Sequence, residues 1–431
     1  MTSVGPWGRR AWSAVARGVS RSRSRSEEGP AGAAVFRHRK RRAGAQEARP
    51  AVLFCDPAGY EQLDQLAATL RRWGIAAVRV EPLPSEAGGA RSPARRLRDR
   101  LFYDRAIALK TPDDVAALEA RGLGDLRILD AVVAESLVAE RGLDDPVLAA
   151  LGDHSLAFAR HGPRRLLDKF EVNALLEAAG VRIPAQCSAA ELSPAQAVRA
   201  LGLPLVVKGK VGLGGDGVRI ARSLAEVEKA LEDLCGENLG YGFFQAHVEG
   251  QAVGYICVGG PAGAVLEKGY RVDAAQWALG PSANVATDDD PAIVAVGRSV
   301  VEALGCQAFA QIDMIRDAAG QVWPIDANLR PSGNTLAFLH LGLDFPAAYA
   351  SLLLGPAMPR ARPLGPPRAD AADVMPVGLY DAARNGSARR LATAMDRCMW
   401  MCRKGPGWRY GLVVTAKMLI VLARRLTRRR G

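Results

Sequence analysis

Asp313, Asp326 and Asn328 are the residues in this chain whose types and spacing best suggest chemistry. They stand in Gln311-Ile-Asp313-Met-Ile-Arg-Asp-Ala-Ala-Gly320-Gln-Val-Trp-Pro-Ile-Asp326-Ala-Asn328-Leu-Arg330, which reads as two strands around an Asp-Ala-Ala-Gly turn. Such a hairpin sets Asp313 and Asp326 side by side on adjacent strands, with Asn328, two residues on, facing the same way. Three hard oxygen donors then converge. Magnesium suits them, since it is commonly held by one or two carboxylates while substrate phosphates complete its shell. Arg330, a further step of two along the strand, can neutralise charge developing on a transferred phosphoryl group. A hairpin with solvated acids is the plain alternative, and the apolar setting of Asp326 argues against it.

A second constellation is Pro204-Leu-Val-Val-Lys208-Gly-Lys-Val-Gly212-Leu-Gly214-Gly215-Asp-Gly217-Val218-Arg-Ile220. A strand ends in a lysine, a glycine-rich turn follows, and a second strand begins at Val218. Glycines let backbone N–H groups approach an anion closely, and the lysine supplies a point charge. Strand leads to strand here, whereas phosphate loops of the P-loop and dinucleotide types lead into a helix. Lysine is scarce, 9 of the 57 basic residues. Lys169, Lys208 and Lys268 at motif-like places therefore carry more weight than in a lysine-rich chain.

Taken in order, these elements resemble the ATP-grasp superfamily: a lysine, a lysine with a glycine-rich loop, an adenine hinge, then an acid and an acid-x-Asn. The resemblance covers roughly residues 165–355. It implies that Lys169, in Leu167-Asp-Lys-Phe170, and Lys208 contact the phosphates and adenine of ATP, and that Gly212, Gly214, Gly215 and Gly217 cover the triphosphate. It implies that Asp313, Asp326 and Asn328 carry two Mg2+ ions, with Mn2+ as a substitute. Phe243-Phe-Gln245-Ala-His-Val248-Glu249-Gly-Gln-Ala252 stands where the hinge is expected, which makes Gln245, Val248 and Glu249 nucleotide-binding candidates. Gln245 and Ala252 occupy its two usually acidic positions, and Glu249 is close enough to compensate at the ribose. Lys268 and Arg271 stand where relatives usually place a base near the γ-phosphate, although they also read as solvated charges on an exposed strand. With Arg330 they are the catalytic candidates.

The elements that must position these residues give an α/β (α+β) fold. An ATP-grasp unit at 165–355 follows a small α/β pre-ATP-grasp domain at 50–164. In that first domain Ala51–Cys55 and Ile75–Val80 read as strands around a helix near Tyr60–Trp73, and Arg127–Ala139 holds further strand and helix. A helix is expected over Leu166–Ala179. A Pro-rich linker at 356–380 leads to a basic helical extension at 381–431.

The formal charge of +12 is concentrated at the ends: residues 1–49 hold 12 Lys and Arg against 3 Glu, and residues 397–431 hold 10 with no acid, leaving −7 for the middle. That distribution speaks against a dedicated nucleic-acid site, which gathers positive charge on a folded face. The first 49 residues, with Arg21-Ser-Arg-Ser-Arg-Ser26, read as a disordered basic tail. Seven scattered cysteines lack the spacings of a zinc site or a disulfide framework, so a reduced, cytoplasmic protein is expected. Residues 408–430 carry an apolar run too short to span a bilayer, which needs about 20 apolar residues. They read as a helix packed on the body or lying at an anionic membrane surface.

The expected activity is ligation. ATP phosphorylates a carboxylate, and an amine or amino acid captures the acyl phosphate. The closest subtype suggested is a peptide-forming ligase of the pheganomycin type. A catalytically weak ATP-binding regulator and a bicarbonate-using carboxylase are the alternatives. The identity of the acid and amine, and the oligomeric state, leave no mark on the sequence.

Overall fold

The computed structural model describes residues 48–57, 60–81, 93–118, 123–212, 215, 217–236, 242–260, 263–275, 282–358, 364, 371–374, 377–385 and 387–428. All lie within one compact unit, Arg37–Gly431. The basic tail expected at 1–49 thus falls almost wholly outside the described residues, as does Gly214.

Four parallel strands open the fold: β1 (Arg49–Cys55), β2 (Ala76–Glu81), β3 (Arg105–Ala108) and β4 (Leu126–Val133), in the order β3-β2-β1-β4. The run Ala51-Val-Leu-Phe-Cys55 is fully buried, as expected for a parallel strand covered on both faces. The helix expected near Tyr60–Trp73 forms over Glu61–Leu70 and tightens to a 3-10 turn that ends at left-handed Gly74.

Four antiparallel strands make a smaller sheet: β5 (Gln186–Ser188), β6 (Leu205–Lys208), β7 (Val218–Ala221) and β8 (Phe243–Ala246), in the order β5-β8-β6-β7. Leu205, Val207, Phe244 and Leu234 give it a core of its own. The third sheet has six strands: β9 (Gln251–Gly260), β10 (Gly263–Ala275), β11 (Ser282–Thr287), β12 (Phe309–Arg316), β13 (Val322–Asn328) and β14 (Ala371–Asp373). They are ordered β13-β12-β9-β10-β11-β14. Its core is continuous with that of the first sheet.

Two expectations needed revision. The helix drawn over Leu166–Ala179 starts later, at Lys169, and runs to Ala178, with a separate short helix, Gly162–Leu166, before it. Asp168 divides them, because its side chain accepts the amides of Phe170 and Glu171 and so caps the second helix. Within the stretch expected to be a linker, Ala371–Asp373 pairs antiparallel with β11. After it come the helices Val377–Asn385, Ala388–Lys404 and Trp408–Arg428.

The helix Pro291–Leu304 lies on the large sheet through Gly297, where a Cβ would sit 2.2 Å from Cγ of buried Tyr255 on β9. Gly297→Ala is therefore expected to cost about 3 kcal/mol, the upper end for overpacking. A thermal midpoint lowered by roughly 5 °C is the result to look for by scanning calorimetry, and an unchanged midpoint would show that the helix moves freely off the strand.

Candidate functional site

β12 and β13 pair antiparallel, with Asp313 directly opposite Asp326 and Gln311 opposite Asn328. Strand alternation carries Asn328 to the Asp326 side, and its amide nitrogen lies 3.4 Å from Oδ2 of Asp313. Oδ1 of Asp313 accepts from Nε2 of Gln311 at 3.0 Å and from the Tyr270 hydroxyl at 3.2 Å.

Two lysines arrive from the other side. Lys169, the first residue of its helix, donates to Oδ2 of Asp326 at 2.9 Å. Its backbone N–H bonds the Lys210 carbonyl at 2.8 Å, which ties the helix start to the glycine-rich turn. Lys208, at the end of β6, is buried and reaches across to the Ile325 carbonyl on β13, at 2.7 Å. The turn between β6 and β7 closes with Gly209 N–H on the Gly217 carbonyl at 2.8 Å, and Gly215 has a left-handed φ of 83°. Gly212 lies on the approach to that turn.

Electrostatics distinguish the two aspartates. Burial, and then the charge of Asp326, push the Asp313 carboxyl above its usual range. At Asp326 burial pushes the same way, but Lys169 and then Lys208 outweigh it and hold the carboxyl below its usual range. For Lys208 burial dominates and lowers the ammonium to about 8. The site thus keeps an ionised Asp326 beside a second carboxylate whose negative charge is only partly balanced.

Arg330 is buried where the cleft meets the first sheet. Its Nε donates to Oε2 of Glu135 at 2.6 Å, its Nη2 lies 3.4 Å from Oδ1 of Asn328, and its guanidinium lies over the Tyr60 ring at 5.7 Å. Glu135, Lys169, Asn173, Asp326, Asn328 and Arg330 all line one cleft.

The remaining candidates are more dispersed. Gln245 is buried on β8, and its amide nitrogen has no hydrogen-bond partner among the described residues. Val248 and Glu249 follow that strand, half-buried and exposed respectively. Lys268 and Arg271, expected near the γ-phosphate, have ion-pair partners other than Asp313 and Asp326. Lys268 is ion-paired with Asp289, while Arg271 pairs with Asp273 at 2.9 Å and donates to the Thr287 carbonyl. β10 instead presents Tyr270 to Asp313. Sequence reasoning missed Tyr270, Gln311 and Glu135. An aromatic between two cations on a strand and a glutamate opening a helix have no distinctive spacing. Gln311, two residues before Asp313 on the same strand face, was the one that alternation could have flagged.

Among the described residues, no group of three His, Cys, Asp or Glu is placed to hold a metal ion. The donor set here is two carboxylates and an amide, which fits a hard divalent cation that shares its shell with a ligand's oxygens.

Residues 166–334 match the family described as the ATP-grasp domain, so the chain carries an ATP-grasp domain. Solved structures agree in fold. N5-carboxyaminoimidazole synthetase from Staphylococcus aureus, complexed with ADP, aligns at 14% identity and a TM-score of 0.53, over 73% of this chain and 79% of that one. The biotin carboxylase domain of Hydrogenobacter thermophilus 2-oxoglutarate carboxylase, in complex with MgADP, ADP and bicarbonate, aligns at 15% and 0.52, over 73% and 72%. An L-amino acid ligase from Bacillus licheniformis aligns at 15% and 0.50, over 72% and 75%. No curated protein matches the chain in sequence.

Proposed function

We propose that the chain is an ATP-dependent ligase that activates a carboxylic acid as an acyl phosphate and joins it to an amine, releasing ADP and phosphate. The observation that carries this reading is the approach of Lys169 to Asp326 and of Lys208 to the adjoining Ile325 carbonyl, with Asp326 directly across the strand pair from Asp313. Cations able to hold a triphosphate thereby stand beside carboxylates able to hold a divalent cation, with Lys169 and Asp326 lining the cleft itself. The similar structures, an L-amino acid ligase and two enzymes bound to ADP, support the same class.

In this reading Lys169 and Lys208 bind phosphate oxygens, and Gly212, Gly215 and Gly217 bring backbone N–H groups over them. Asp313, Asp326 and Asn328 hold Mg2+ or Mn2+, which screens the charge between nucleotide and acids. Gln245, Val248 and Glu249 border the base and ribose. A buried amide donor without an acceptor costs about 1–3 kcal/mol, and an acceptor on the adenine relieves that cost at Gln245. An oxygen of the substrate carboxylate attacks the γ-phosphorus as the bond to the β-phosphate oxygen breaks, and ADP departs. The amine nitrogen then attacks the acyl carbon, the carbon–oxygen bond to phosphate breaks, and the amine proton passes to solvent. Arg330, fixed by Glu135, faces the anionic oxygens of both steps. With Lys268 and Arg271 held by acids on β10 and beyond β11, Arg330 is the residue we assign to charge stabilisation.

The test is ADP release from the full chain with pools of amino acids and small carboxylic acids, followed by mass spectrometry of the products. Amine-stimulated ADP release with a condensed product is expected. ADP release that needs bicarbonate, or tight ATP binding without turnover, would overturn the assignment in favour of a carboxylase or a regulator.

Nucleotide affinity should also depend on pH. Lys208 loses its proton as pH rises through about 8, and a triphosphate prefers the charged form. Affinity is thus expected to be level below neutral pH and to weaken above 8, by up to about tenfold per unit. Lys208→Arg, which stays charged throughout, should flatten the profile when ATP binding is followed by calorimetry at several pH values.

A further inference from the structure

The last helix, Trp408–Arg428, has two faces of different character. One is buried: Tyr410, Val414 and Met418 are covered, with the Tyr410 hydroxyl on the Gln65 amide and its ring 5.8 Å from that of Phe102. The other is open. Trp408, Leu412, Leu419 and Ile420 are 66, 60, 56 and 53% exposed, and Ala416 and Ala423 are exposed between them. At 3.6 residues per turn these six fall on a single stripe opposite the buried face. A large apolar stripe left open on a helix marks a contact surface.

The charge around the stripe indicates which contact. At the Trp408 end lies a groove of about 550 Å3, whose lining includes Arg49, Arg71, Arg72, Arg403 and Arg409 but only one acid, Asp104. Asp104 is shared by Arg49 at 3.4 Å and Arg71 at 3.2 Å, while Arg72 donates to the Arg403 and Lys404 carbonyls. Arg409 lies over the Trp408 ring at 5.7 Å. Beyond the other end of the stripe the sequence continues Arg424-Arg-Leu-Thr-Arg-Arg-Arg430, and residues 397–431 contain no acid. An apolar stripe with cations at both ends is complementary to the surface of an anionic bilayer, where acyl chains meet the stripe and lipid phosphates meet the arginines. A second copy of the chain fits poorly, because mating two stripes brings two sets of these arginines together. No helix among the described residues is long and apolar enough to cross a membrane, so the contact is peripheral.

We infer that the exposed face of the last helix docks the protein on an anionic membrane, with lipid headgroup phosphates entering the arginine-lined groove beside Trp408. This inference does not depend on the reaction at the ATP-grasp cleft.

Flotation of the full chain with phosphatidylcholine vesicles, and with phosphatidylcholine and phosphatidylglycerol at roughly three to one, tests it. Flotation only with the anionic vesicles, falling as salt is raised, is expected. Leu412→Asp with Ile420→Asp touches exposed side chains alone. The pair should abolish flotation while leaving the thermal midpoint unchanged. Arg403→Gln with Arg409→Gln should weaken it by about tenfold or more. If inorganic phosphate binds the groove and the chain ignores vesicles, the groove serves a soluble anion and the inference fails. It fails equally if neutral and anionic vesicles are bound alike, or if light scattering shows a dimer that the Leu412 and Ile420 substitutions split.

Discussion

Asp326→Asn is expected to lower ATP turnover by about three orders of magnitude while the protein stays folded. The carboxylate is held ionised by Lys169 at 2.9 Å and by Lys208 behind it, with Asp313 across the strand pair. Exchanging it for an amide keeps the shape and removes the charge that Lys169 pairs with and that acts on Lys208 more strongly than Asp313 does. Two consequences follow at neighbouring groups. The Asp313 carboxyl loses its like-charged neighbour and drops toward its ordinary range, and Lys208 loses the partner that partly offsets burial, so its pKa falls further. Steady-state ADP release measured against Mg2+ and Mn2+ concentration is the readout. Asp289→Asn, which unpairs only Lys268, is the matched control and should stay near the parent rate. Parent-like turnover in Asp326→Asn would remove the basis for the proposed site.

Arg330→Met should damage both folding and activity, and a second substitution separates the two. Arg330 and Glu135 have side chains only 6% and 11% exposed, joined at 2.6 Å. Removing the arginine leaves a buried carboxylate without its cation, which costs about 3–5 kcal/mol. Arg330→Met with Glu135→Leu replaces the pair with apolar groups and should recover most of that stability, since such exchanges are often neutral or better. Activity should not return with it, because the charge facing the cleft is gone. Urea midpoints and ADP release on the two variants provide the comparison. A double variant that regained turnover would show the pair to be architectural.

What the sequence disclosed follows from the reach of local rules. Strand alternation and a four-residue turn are enough to juxtapose Asp313, Asp326 and Asn328, and the structure pairs them in that register. The Lys208 hairpin was legible for the same reason, since β6 and β7 are neighbours in the chain and Lys208 falls opposite Val218. Glu135 was not, because its meeting with Arg330 spans 195 residues and depends on how the first sheet sits against β13. Lys268 and Arg271 were placed near the γ-phosphate by analogy of position, which says nothing of the acids that pair with them here. Alternation on β10 does turn Tyr270 and Lys268 to one side, but the acids that claim the two cations come from beyond β11 and from two residues along β10. Asp168 shows a third limit. A good helix former on either side concealed a cap that only backbone geometry reveals.

Tyr349 and Tyr410, from helices late in the chain, hold Asp130 on β4 and Gln65 beside the first sheet. The first sheet is therefore finished by residues that lie 219 and 345 positions further along the chain than those they hold. Until they emerge, the helix Glu61–Leu70 lacks the helix Phe345–Leu354 that packs against it. A nascent chain halted near residue 340 should therefore expose apolar surface that the helices Phe345–Leu354 and Trp408–Arg428 otherwise cover.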